Sequence, residues 1–451
     1  MAFRCSFNLE DDDQVHIYRH LLPHARTSYL ARRMVLFEEI SSVRKVILNR
    51  PTKLNCLTYE MVVQMLRALE AYECDPAVEC ITLKGKGKAF CSGGDVKGFI
   101  CSSGAGHWSF AGAFYRSQLM LDYLIATYSK PVIALVDGIV MGGGAGLAMH
   151  AAFRVVTENT VFAMPEASIG LFPDVGASKF LSKLPGSFGE YLALTGARLD
   201  GSEMLACGLA SHFVLSKDLP LLEKSVCEEA PLKKSTISDL LNRFAHKPSL
   251  KESSTFRRLE IINRCFSKPT VEEILSSLEN EVENDGEKKW IKDAIRSMRS
   301  ASPTSLKITL KSMREGRAQT IEKCLAHEYI ISCHMLRRSM HRDFYEGSRA
   351  MLFDKDRKPQ YSGTRPSWNR SPTRWSASSS RVSSGSTRIG STCSFRSDQA
   401  EPWPGQSSEG RPRFWRNELE SQNHHSLYDI FTSSSSDEQT YFISLECCTD
   451  L

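Results

Sequence analysis

The stretch from 132 to 153, VIALVDGIVMGGGAGLAMHAAF, constrains this chain most, because it is apolar for long enough to span a bilayer. Asp137, His150 and the glycines at 138, 142, 143, 144 and 146 would be costly in hydrocarbon. A buried strand over 132–136, a glycine turn and a buried helix over 144–151 fit the same residues. The stretch therefore predicts the core of a soluble protein that does not cross a membrane.

The surrounding residues alternate between strand and helix signals. Val35–Ile40 and Val43–Leu48 are β-branched runs around a turn at Ser41–Ser42. The segment 57–72 carries Met61, Val62, Met65, Leu66 and Leu69 at helical spacing, and 80–83 is a short strand running into KGKGK. Strand, strand and helix in succession predict a ββα unit used more than once, hence an α/β core. After Pro220 the signals are almost wholly helical, at 237–244, 271–283, 288–299, 305–315 and 321–339. The predicted organisation is an α/β core over 35–230 followed by a helical region over 231–358. A chain of 451 residues can bury such a core without disulfides.

Both flanks differ in composition. Residues 1–34 form a leader in which the acidic run Glu10–Asp13 argues against a secretory signal. The segment 14–37 has no acid and holds Arg19, Arg26, Arg32 and Arg33, which fits an organellar transit segment or a basic leader without an address. Residues 361–451 hold 22 serines, no lysine and four of the six tryptophans. The range 359–451 is predicted to be a disordered Ser/Arg-rich tail, the product of an alternative exon or reading frame.

Charge and cysteines narrow the function classes. Lys plus Arg exceed Asp plus Glu by 57 − 52 = 5, too mild an excess to suggest a nucleic-acid binder. The 14 cysteines are scattered with no CxxC pair, which predicts free thiols in a reducing compartment and no metal site.

Three motifs could carry chemistry. AFCSGGD (89–95) closes an apolar strand, and its glycines let backbone approach a ligand. DGIVMGGGAG (137–146) places bare N–H groups at the start of a helix, suited to a developing negative charge. Neither is a phosphate loop: GxxxxGK[ST] is absent, and Leu147 stands at the third glycine position of a GxGxxG pattern. MPEASIGLFPDVGAS (164–178) sets Glu166 and Asp174 in an apolar segment. Asp174 alone could cap a helix. Two acids near two N–H-donating glycine turns suggest acid/base groups beside an oxyanion hole. Cys91 has no histidine nearby in sequence to activate it and is expected only to line the site.

These motifs, in this order and spacing, resemble the crotonase (enoyl-CoA hydratase/isomerase) superfamily. Within it the sequence is most similar to the 3-hydroxyisobutyryl-CoA hydrolase family, over about 35–358, including LPGSFGEYLALTGARLDGSEMLACGLASHFV and DFYEGSRAMLFDKDRKP. The resemblance implies a spiral of ββα turns in two roughly perpendicular sheets, with C-terminal helices closing over an acyl pocket. It implies an acyl-CoA substrate whose thioester oxygen sits between the N–H groups of Gly94 and Gly143. Ser92, Gly93, Asp95, Val96 and Gly142 would line the substrate path. Glu166 would activate water or attack the carbonyl. Asp174 would hold the 3-hydroxyl and protonate the thiolate.

The first acid of the hydratases matches Gly146, which argues against reversible hydration. An acid found in animal-type hydrolases matches Gln118, so one substrate contact is expected to differ. No cofactor is implied beyond the CoA of the substrate. The superfamily often forms trimers, so the resemblance allows a homo-oligomer. A mitochondrial address is expected from pathway logic and the leader, with cytosolic and peroxisomal ones as alternatives. The competing readings are an enoyl-CoA hydratase or isomerase, and a non-catalytic crotonase-like component of the plant mitochondrial ribosome.

Overall fold

The middle strands of the chain are dealt alternately to two sheets. The computed structural model describes residues 34–105, 107–284, 289–339 and 341–361. Most of the predicted leader and the tail beyond 361 lie outside them. Strands β1 (Val35–Ile40), β2 (Val43–Leu48), β3 (Cys80–Gly85), β5 (Val132–Val136), β7 (Phe153–Val156) and β10 (His212–Phe213) form one sheet in that order. Strands β4 (Ala89–Cys91), β6 (Ile139–Met141), β8 (Val161–Ala163) and β9 (Leu199–Asp200) form the second. Each pair β3–β4, β5–β6 and β7–β8 thus gives one strand to each sheet. Pairing is parallel except for the hairpin β1–β2 and the edge pair β8–β9.

The apolar stretch from 132 forms β5, β6 and a helix. β5 is buried along its whole length, as a parallel central strand must be. The tight β5–β6 turn needs Gly138, at φ +87°, where a Cβ would lie 2.3 Å from the Lys88 carbonyl oxygen.

The helices of the α/β part are α1 (Tyr59–Cys74), α2 (Val96–Ala105), α3 (Ser109–Ala126), α4 (Gly143–Met149), α5 (Ala177–Phe180), α6 (Phe188–Thr195) and α7 (Gly201–Cys207). α1 begins where the Thr58 side chain accepts from the Met61 N–H and buries Met61, Val62, Met65 and Leu69. Each such side chain contributes about 1.5–3 kcal/mol. The helical part continues with α8 (Leu219–Glu228), α9 (Lys234–Phe244), α10 (Leu259–Phe266), α11 (Val271–Asn284), α12 (Lys289–Ser300), α13 (Pro303–Gly316), α14 (Ile321–Arg337) and α15 (Asp343–Ser348). Ser302 and Thr320 side chains cap α13 and α14. Among the described residues, no helix is long and apolar enough to cross a membrane.

The start of the predicted tail is docked on this framework. The Gln360 N–H donates to Glu346 Oε1 at 2.7 Å, and the Tyr361 hydroxyl donates to the Ser168 carbonyl oxygen at 2.8 Å.

Candidate active site

The first glycine turn is held from both sides. Asn55, fully buried, donates through Nδ2 to the Lys86 and Ala89 carbonyl oxygens at 3.0 and 2.8 Å, fixing the entry to β4. Beyond β4, the Leu57 N–H donates to the Gly93 carbonyl, and the Asp95 N–H donates to the Leu57 carbonyl, both at 2.8 Å. In a parallel bridge of this kind, the residue between the two bonds turns its own N–H to the opposite edge. That residue is Gly94. Gly93 takes φ +105°, open to glycine. Ser92 donates its N–H to the Leu54 carbonyl, Asp95 pairs with Arg50 at 3.5 Å, and Val96 opens α2.

The second glycine turn faces the first. Gly142 takes φ +50° as the residue before α4, and Gly143 is the first helical residue, whose N–H has no intrahelical acceptor. A Cβ built on Gly143 would lie 3.5 Å from the Gly94 nitrogen, 3.4 Å from Leu57 Cδ1 and 3.7 Å from Gln118 Oε1. The absent side chain therefore leaves open a space bordered by two backbone nitrogens, a methyl group and an amide oxygen.

Both acids of the third motif are buried, Glu166 at 6% exposure and Asp174 at 4%. Glu166 opens a single 3-10 turn, Glu166–Ile169, closed by Gly170 at φ +74°. Its Oε1 would be 2.9 Å from a Cβ on Gly142, and its buried Oε2 has no hydrogen-bond partner among the described residues. Burial, helped by the charge of Asp174, holds Glu166 well above the usual carboxylate range. Burial raises Asp174 to about 7. Asp174 does not cap a helix through its side chain: α5 starts after Gly176, without a side-chain cap. The Tyr115 ring is buried beside the same pair, and its hydroxyl is held above its ordinary value by burial and by both acids.

Three flanking positions bear on the competing chemistries. A Cβ on Gly146 would lie 2.8 and 2.9 Å from the Asp122 carboxylate oxygens and 2.8 Å from Val175 Cβ, so no acid fits there. Gln118, on α3, is 2% exposed and donates through Nε2 to Asp122 Oδ1 at 2.9 Å. An acid is therefore present on this helix, one turn beyond the position expected from the resemblance. Cys91 is fully buried and its thiol is pushed up to about 12, which keeps it protonated.

Residues 43–368 match the family described as enoyl-CoA hydratase/isomerase. The chain is 51% identical over 333 residues to the Arabidopsis thaliana protein named 3-hydroxyisobutyryl-CoA hydrolase 1, covering 73% of this chain and 87% of that one. The chain belongs to the 3-hydroxyisobutyryl-CoA hydrolase family. A second relative is small ribosomal subunit protein mS47 of Arabidopsis thaliana, 43% identical over 331 residues, covering 73% of this chain and 81% of that one. Hydrolase relatives from chicken and human carry the word mitochondrial in their names. The crystal structure of an enoyl-CoA hydratase from Rhodobacter sphaeroides matches with a TM-score of 0.65 and 32% identity, covering 73% of this chain and 92% of that one. The crotonase-like fold expected from the motifs is the fold of this hydrolase family member.

Sequence reasoning missed three side chains around the site, Asp122, His150 and Glu328. Asp122 could have been found as a lone acid among Leu119, Leu121, Leu124 and Ile125 on α3, four residues beyond Gln118. His150 follows α4, and its Nε2 donates to the Val175 carbonyl at 2.8 Å; burial lowers the ring to about 4, so it stays neutral. Glu328 lies on α14, far from the motifs in sequence, and left no signal that links it to them.

Proposed function

We propose that this hydrolase family member cleaves the thioester of a short 3-hydroxyacyl-CoA, best fitted by 3-hydroxyisobutyryl-CoA, to give 3-hydroxyisobutyrate and CoA. The observation that carries this reading is the buried Glu166 set against Gly142 of the second glycine turn, with the buried Asp174 near enough to raise it and no room for an acid at 146. The thioester oxygen would occupy the space left by the missing Gly143 side chain, accepting from the Gly94 and Gly143 N–H groups. Such donors cost no reorganisation as charge develops on the oxygen. Glu166 acts in its ionised form, which burial disfavours: it would take a proton from water as water attacks the carbonyl carbon, or would attack directly to give a mixed anhydride that water then opens. As the C–S bond breaks, its electron pair goes to sulfur, and Asp174 would supply the proton. A carboxyl raised to about 7 is still partly protonated at neutral pH.

Asp174 would also receive the substrate's 3-hydroxyl, and Ser92, Gly93, Asp95, Val96 and Gly142 would line the path of the CoA chain. These steps draw on carboxyl groups and backbone dipoles, with CoA entering only as part of the substrate. A place in valine catabolism and a mitochondrial address accord with this reaction and with the names of the chicken and human relatives.

Free-thiol release from 3-hydroxyisobutyryl-CoA, beside 3-hydroxypropionyl-CoA and crotonyl-CoA, tests the reading for wild type and Glu166→Gln. Release from the hydroxyacyl substrates that collapses in the variant supports it. No thiol from any of them, with a folded sample, removes it and brings forward a ribosomal role like that in the name of the mS47 relative.

A further inference from the structure

Asp174 is followed by two successive residues in the left-handed region, Val175 at φ +54° and Gly176 at φ +79°. Valine, being β-branched, disfavours that conformation, so contacts from outside the turn must hold it. Two side chains make them. His150 donates to the Val175 carbonyl from one side. From the other, Glu328 accepts the Gly176 N–H through Oε2 at 2.7 Å, and through Oε1 meets the Ser178 hydroxyl at 2.6 Å and the Ser178 N–H at 3.3 Å. Glu328 is 1% exposed and comes from α14 in the helical part.

An apolar residue at 328 would leave two backbone N–H groups unpaired in the interior and take away the carboxyl partner of the Ser178 hydroxyl. A carboxyl group satisfies all three at once. Burial pushes Glu328 up to about 8 against the pull of these donors, so an amide at this position mimics its neutral form closely.

We infer that Glu328 is a positioning residue for Asp174, its carboxyl group holding the Val175–Ser178 turn so that Asp174 stays beside Glu166. The inference rests on the proposed role of Asp174. It assigns a catalytic consequence to a residue that need not touch substrate.

The test uses the full chain as wild type, Glu328→Ala, Glu328→Gln, Asp174→Asn and the Glu328→Ala/Asp174→Asn double variant. The readouts are thiol release from 3-hydroxyisobutyryl-CoA and amide hydrogen exchange over 174–178. Glu328→Ala is expected to lower kcat about 10- to 100-fold, as a small misplacement of a reacting group does, and to leave KM within about threefold. Glu328→Gln recovers most of the loss, because its carbonyl oxygen can accept from Gly176 and its amide can donate to Ser178 Oγ. In the Asp174→Asn background, Glu328→Ala costs less than about threefold, since residues acting as one unit are not additive. Exchange at Gly176 and Ser178 quickens in Glu328→Ala. If that variant does not fold, Ser178→Ala gives the same pattern in weaker form.

Multiplicative losses in the double variant, a rise in KM at unchanged kcat, or unchanged exchange would each overturn the inference. So would Asp174→Asn with wild-type kcat. Absence of thiol release by wild type would instead remove the proposed function, and the exchange data would then decide whether Glu328 holds the turn.

Discussion

Oε1 of Glu166 stands against the backbone of Gly142, only 2.9 Å from where a side-chain carbon on that glycine would be. The acid thus reaches the edge of the space bordered by the Gly94 and Gly143 nitrogens. Its other oxygen is buried and has no hydrogen-bond partner among the described residues. Replacing Glu166 by Gln should lower kcat about 10²- to 10⁴-fold, the usual contribution of a general base. The melting temperature should hold or rise, because the amide carries no charge to desolvate. Thiol-release kinetics and a thermal melt of the same preparation check both halves.

Gly143→Ala separates packing from chemistry. The new carbon would meet its neighbours at 3.4–3.7 Å, ordinary contact distances, so the variant should fold. It would also occupy the space between the two nitrogens. We expect kcat to fall about 10²- to 10³-fold, comparable to removal of an oxyanion donor, with little change in melting temperature.

The titration of Asp174 makes stability and rate depend on pH in a defined direction. Burial raises it from 3.8 to about 7, so the folded protein binds this proton more tightly than the unfolded chain. The resulting stability is complete below about pH 4 and is lost as pH rises through 7. Asp174→Asn removes this dependence, so its melting temperature should gain on that of wild type between pH 4 and 8. The proposed proton donor is also depleted over the same range, and on that proposal wild-type kcat should decline above about pH 7. Melting curves and kcat measured across pH 5–9 decide this.

Restoring an acid at position 146 should not yield a hydratase. Asp122 and Val175 already fill the space that a Gly146→Glu side chain would enter. Overpacking of this kind typically costs about 1–3 kcal/mol, and here two carboxyl groups would also be forced together. The variant should melt lower, release less thiol from the hydroxyacyl substrate, and show no hydration of crotonyl-CoA.

Ending the chain after Tyr361 should preserve turnover. Among the described residues, the Gln360 N–H donates to Glu346 and the Tyr361 hydroxyl donates to Ser168 in the Glu166 turn. Ending it after Arg357 instead removes both and should lower kcat. Comparing the two truncations by thiol release tests the boundary.

Much of the fold was legible because its signals are local. β1, β2 and β5 have the bounds their β-branched runs predict, and Met61, Val62, Met65 and Leu69 face the core as their spacing requires. The glycines at 93, 94, 142 and 143 stood out because they cluster. The two-residue strands β9 and β10 carry no periodicity, so pairing partners alone define them. Glu328 and His150 are ordinary residues of helix segments until the turn after Asp174 is laid against them. Asp122 belongs to none of the motifs and lies among apolar residues one helical turn after Gln118.

Both acid-bearing turns are finished by residues from the C-terminal helices among the described residues. Gly170 closes the Glu166 turn so tightly beneath Asp343 that a Cβ there would lie 2.1 Å from its carbonyl oxygen. The Ser302 N–H donates to the Ala167 carbonyl in the same turn, and Glu328 grips the turn after Asp174. Synthesis runs from the N-terminus, and early segments fold first. A nascent chain halted before residue 302 would already contain every glycine and both acids of the motifs, yet would lack what fixes their geometry. Thioesterase competence should therefore arise late in synthesis, when the last helices fold back over a sheet framework that has already formed.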